Sequence, residues 1–235
     1  PKEKEITAYH EAGHALVAKM LPNADPVHKI SIVARGMSLG HTRLLPTEDR
    51  YLTTRSQLKA RLATLLGGLT AEELIFNERT SGAHEDIGLA TKIAHSMVTD
   101  LGMSDKLGPR TFGDKQELVF LGREIAEQKD YGNKIADEID REVNRIIQSA
   151  HRVAKKILTE NKQRLIHIAE KLVAQETLES AELEAAFDEP ISPQAEAKAS
   201  PTPKPVKAPP KAKAKPAPKK IGVSPQLLPK QAPAS

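Results

Sequence analysis

The chain has no cysteine in its 235 residues. That excludes disulfide frameworks, cysteine-type zinc fingers, iron–sulfur clusters and thiol catalysis, and it leaves histidines and carboxylates as the only side chains for holding a metal. Long apolar runs are missing too. The longest uncharged, mostly apolar stretch, Leu62 to Ala71, contains two glycines and falls far short of the roughly 20 residues a membrane helix needs. No Gly-x-x-x-x-Gly-Lys-Ser/Thr loop occurs, so the sequence offers no recognisable nucleotide site. The opening Pro1-Lys2-Glu3-Lys4-Glu5 has no signal peptide before it and enters a helical pattern at once, which reads as a piece of a longer protein.

A basic excess is lacking where it would matter. Lys and Arg number 35 against 31 Asp and Glu, but nine of the lysines and a single acid, Glu196, lie in residues 190–235. The tail is therefore +8 and the remaining 189 residues −4. The part able to fold has no positive field for a phosphate backbone, and no nucleic-acid partner is expected. Twelve of the 17 prolines lie in the tail as well, and Pro with Lys denies the chain both helix hydrogen bonds and a buried face. The expected organisation is one domain over residues 1–189 and a disordered basic tail over 190–235.

Apolar residues spaced by three and four, from Ile6 through Tyr9, Gly13, Leu16 and Val17 to Met20, predict a helix over residues 3–20. Two short strands are expected at 28–35 and 39–45, closed by Pro46. Thr54 and Gln57 stand at capping-box spacing before a second helix carrying Gly67-Gly68 inside it. A third should run from after Gly82 to about Leu101. Residues 103–121 read as loop with a strand near 117–121. Ile135, Ile139, Val143, Ile146, Ala150, Val153 and Ile157 mark a long amphipathic helix, with shorter ones near 161–174 and 180–187. The fold class is mainly α, with a small antiparallel β element.

The chemistry concentrates in His10-Glu11-Ala12-Gly13-His14. Four residues turn a helix by about 400°, so both imidazoles share one face and can hold one metal ion. Glu11 sits about 100° round, close enough to reach a water on that ion. Neutral imidazoles suit Zn²⁺, which lowers the pKa of its water to about 7. Five matching letters also fit an ordinary helix face. A di-iron site would need a second Glu-x-x-His unit, and none of the other six histidines supplies one. A catalytic zinc takes a third protein ligand. Glu72, Glu73 and Asp86 are acids at or near helix ends, and spacing does not choose among them.

Tyr9 to Ala15, Asp25-Pro26-Val27-His28-Lys29, Gly67-Gly68 to Glu72-Glu73, Thr80-Ser81-Gly82-Ala83 with Asp86, Met97-Val98, Lys106 to Pro109 and Val119 to Arg123 occur in one order. Together they resemble the peptidase domain of the FtsH family, membrane-anchored, ATP-dependent zinc metalloproteases of bacteria, mitochondria and chloroplasts. The resemblance spans about residues 2–188. It implies one zinc held by His10, His14 and Asp86, with Glu11 as catalytic base. It also implies a homo-hexamer acting on unfolded or membrane-extracted polypeptides. ATP would act only through an ATPase module outside this chain, with membrane segments anchoring the full protein and this domain in the cytosol, matrix or stroma. An inactive homologue serving as an assembly platform and a non-proteolytic metal-binding helical protein are the rival classes. Two departures from the family stand out: His84-Glu85 replace its usual Ser-Asn, and His41 replaces an aliphatic or aromatic residue, adding potential metal partners.

Overall fold

The computed structural model describes residues 2–33, 40–45, 51–113 and 131–190. The first helix, α1 (Lys2–Met20), carries Glu3 and Glu5 in its first turn and Lys19 in its last, each favoured by the helix dipole there. From Ala8 to Ala18 every residue is buried. α1 is thus not a surface helix with one apolar stripe but the central rod, packed against helices on several sides and against the sheet. Its Ala and Gly residues make this possible, because short side chains admit neighbours all round.

Thr54 caps α2 (Arg55–Leu65), its hydroxyl accepting from the Gln57 N–H while the Gln57 side chain accepts from the Thr54 N–H. The expected single helix is broken at Leu66, and α3 (Gly67–Phe76) starts anew and ends on Asn77 in the left-handed region. The break serves the crossing with α1. A Cβ on Gly13 would lie 2.5 Å from the Gly67 carbonyl oxygen, and one on Gly67 2.7 Å from the Gly13 carbonyl oxygen. Backbone therefore meets backbone, a contact only glycine permits.

A 3₁₀ turn at Ser81–Ala83 leads into α4 (His84–Thr99). The long helix α5 (Asn133–Glu160) buries Ile139, Val143, Ile146, Ala150, Ala154 and Leu158. After Ala150 the buried stripe steps by four, so Val153, expected inside, is 39% exposed. α6 (Lys162–Gln175) and α7 (Ser180–Asp188) follow as expected.

Strands β1 (Val27–Ser31) and β2 (His41–Leu44) pair antiparallel, and both are shorter than expected. A third, β3 (Thr177–Glu179), pairs antiparallel with β1 on its other side, giving the order β2-β1-β3. The fold is therefore mainly helical with a small antiparallel sheet, of which β2 is an edge among the described residues. The expected strand near 117–121 and the tail beyond Pro190 lie outside the described residues. Among the described residues no helix is long and apolar enough to cross a membrane.

Candidate metal centre

Three elements converge beside the middle of α1. His10, Glu11 and His14 are 8%, 6% and 7% exposed. A cleft of about 820 Å³ opens on them, bordered by α2, β2 and the start of α4. The two rings meet edge to face, with their Nε2 atoms 3.0 Å apart. Asp86, in the first turn of α4, places Oδ2 3.2 Å from each Nε2.

The opposite ring nitrogens are fixed by partners that can only accept. His14 Nδ1 donates to the Thr64 carbonyl of α2 at 2.7 Å. His10 Nδ1 donates to Glu72 Oε1 at 2.6 Å, and Glu72 Oε2 accepts from the Thr80 N–H at 2.8 Å. Glu72 is 1% exposed, and burial works against its charge, but the bonds from His10 and Thr80 hold its pKa below the usual carboxylate range. With Nδ1 committed as donor in both rings, each neutral imidazole turns the Nε2 lone pair toward the other and toward Asp86.

Such an arrangement calls for positive charge. Burial disfavours a charged His10 ring, yet Asp86 and Glu72 outweigh it and push the pKa up to about 9. Burial likewise opposes the Asp86 carboxylate, and the two histidine rings that face it hold it well below its usual range. The three ligand atoms suit a metal, for separations of 3.0 Å between the Nε2 atoms and 3.2 Å from each to Asp86 Oδ2 can be spanned by zinc bonds of about 2.0–2.2 Å to imidazole nitrogen and carboxylate oxygen. α3 leaves this space open, since a Cβ on Gly68 would lie 2.5 Å from His10 Nε2 and 2.6 Å from His14 Nε2. His10, His14 and Asp86 form the one group of this kind among the described residues.

The other candidates separate. Glu72 grips the far side of His10, at Nδ1, rather than facing the Nε2 atoms. Glu73 turns away to pair with Arg79 at 2.6 Å and with His151 of α5 at 3.2 Å. His84 and Glu85 are exposed at the cleft border, outside the ligand cluster. β2 directs Thr42 toward Glu11, and its neighbour His41 borders the same cleft, outside the ligand cluster. Glu11 stands beside the cluster, and its Oε2 accepts from the Thr42 hydroxyl at 2.6 Å.

Several of these contacts were invisible in the sequence. The Thr64 contact is a main-chain carbonyl, which no residue type announces. Glu72 was visible only as a possible ligand, because 62 residues separate it from His10. The role of Gly68 had a partial signal, since a glycine pair in a helix marks close approach.

The family model for peptidase family M41 matches residues 1–186. The chain is 56% identical over 204 residues to an ATP-dependent zinc metalloprotease FtsH 1 of Thermomicrobium roseum, covering 87% of this chain and 31% of that protein. The proteins of the same description from Sphaerobacter thermophilus and Conexibacter woesei are 52% and 50% identical, over 87% and 86% of this chain and 31% of each of them. The chain thus spans about a third of the length of the curated relatives it matches.

Proposed function

The chain belongs to peptidase family M41 and is a metalloprotease domain of the FtsH type, and from that premise we propose that it is a zinc-dependent endopeptidase in which His10, His14 and Asp86 hold the ion and Glu11 is the base. The observation that carries this reading is the convergence of two buried Nε2 atoms and one carboxylate oxygen within 3.2 Å, with both rings oriented by acceptors behind them.

Zinc bound there supplies Lewis acidity toward a carbonyl oxygen and acidifies water. Glu11 takes a proton from the attacking water through its carboxylate and later delivers it to the leaving amine nitrogen. Glu72 and Thr64 keep both imidazoles in the ligating tautomer throughout. β2 is an edge strand bordering the cleft, and an extended substrate pairs with it through main-chain hydrogen bonds, which accept many sequences. This suits unfolded or membrane-extracted polypeptides as substrates. In the full-length protein an ATPase module and membrane segments precede the domain, and the assembly is a homo-hexamer. That its relatives are ATP-dependent zinc metalloproteases supports the ATPase part of this reading.

Casein hydrolysis with and without a zinc chelator tests the activity, and Glu11→Gln tests the mechanism. The variant keeps both imidazoles and removes only the base, so it should retain zinc by elemental analysis and lose hydrolysis. Full activity in a zinc-replete Gln variant removes Glu11 from the reaction. A zinc-replete wild type that cleaves no peptide leaves an assembly platform as the reading.

A further inference from the structure

We propose that strand β2 positions the base as well as the substrate, with Thr42 as the positioning residue for Glu11 and Gly40 as the surface against which its carboxylate rests. The inference takes Glu11 as the base, as above, and concerns what aims it.

Glutamate has three side-chain torsions, and a base able to reach the attacking water needs one arrangement of them. Two residues of β2's chain supply that constraint. Thr42 donates its hydroxyl to Glu11 Oε2 at 2.6 Å, while the Glu11 main-chain oxygen lies at 3.2 Å. The single hydroxyl proton favours the nearer, charged acceptor. Two positions earlier, just before β2, Gly40 meets the other oxygen. A Cβ there would lie 2.7 Å from Oε1, 3.0 Å from Glu11 Cγ and 2.8 Å from Thr7 Cγ2. One oxygen is thus held by a hydroxyl, and the other lies against a backbone with no side chain. Glu11 is 6% exposed, so bulk water does not take over the role of Thr42. The register Ile30↔Thr42 ties this hydroxyl to the buried Ile30 of β1, so the aim of the base depends on the sheet.

Thr42→Val keeps the β-branched shape and removes the donor, whereas Thr42→Ser keeps the donor. With the base mis-aimed by a fraction of its reach, kcat on a fluorogenic peptide should fall about 10- to 100-fold in Thr42→Val. KM should stay within about twofold and zinc content unchanged, and Thr42→Ser should lie within about threefold of wild type in kcat. The ¹³C carboxyl resonance of Glu11 in the zinc-loaded protein, assigned with Glu11→Gln, should move in Thr42→Val and not in Thr42→Ser. Gly40→Ala, which leaves Thr42 in place, should also lower kcat with zinc retained. The proposal is overturned if Thr42→Val or Gly40→Ala keeps wild-type kcat, if Thr42→Ser falls as far as Thr42→Val, or if zinc is lost in step with activity. Failure of the base itself would show differently, as activity surviving in Glu11→Gln.

Discussion

Two neighbouring acids on α3, one step apart in sequence, have unrelated fates. A helix turns about 100° per residue, so Glu72 points inward to His10 Nδ1 while Glu73 points to Arg79 and His151. Asp86 alone of the three candidate acids places an oxygen against both Nε2 atoms. Asp86→Asn should therefore abolish most zinc occupancy, because an amide oxygen is a far weaker donor to the ion. Glu73→Gln should leave occupancy unchanged, and Glu72→Gln should weaken zinc about 10- to 100-fold by loosening the His10 tautomer. Competition with a chelating dye gives all three constants. Full occupancy in Asp86→Asn with loss in Glu73→Gln would transfer the role to Glu73.

Elements meet at this site through small residues, and this can be tested by adding one methyl group at a time. On Gly13 it would strike the Gly67 carbonyl oxygen at 2.5 Å and Ala71 Cβ at 2.7 Å, neither of which yields without separating α1 from α3. Gly13→Ala should cost about 1–3 kcal/mol, as overpacked cores do. Gly88→Ala, inside α4 with nothing within 4 Å of the added carbon, should stabilise by about 0.5–1 kcal/mol through helix propensity alone. Thermal melts in excess chelator separate packing from zinc binding. Equal melting points for the two variants would refute the close crossing. The amphipathic α5 was legible because 28 residues repeat one period, and α1 because its motif and spacing agree. The break at Leu66 was not, since its cause is the approach of α1, nor was β3, whose three residues are too few to show a period and pair because β1 lies beside them. The meeting of His10 and His14 on one face of α1 was readable for the same local reason, whereas the hold of Glu72 on His10 and of Thr42 on Glu11 joins residues 62 and 31 positions apart.

For the whole molecule, the buried position of the ligands sets what can be cut. On the proposed reading a peptide bond must come within bonding distance of an ion at His10 and His14, whose side chains are less than a tenth exposed, in a cleft of about 820 Å³. Extended chain fits such a space, and a folded domain does not. Exposing an extended segment in a stable protein means unfolding it, at about 5–15 kcal/mol, and spontaneous opening of that size is rare. Within these 235 residues no phosphate-binding glycine loop supplies a way to drive it with ATP. The purified chain should therefore cleave casein or a destabilised variant of a test protein in a zinc-dependent manner, leave the same protein intact when tightly folded, and respond to ATP in neither case. Gel densitometry of one substrate in folded and destabilised forms, with and without nucleotide, measures this directly. ATP-stimulated loss of the folded form by the pure chain would show a nucleotide site that its sequence does not reveal, and equal cleavage of both forms would show that the cleft admits folded protein.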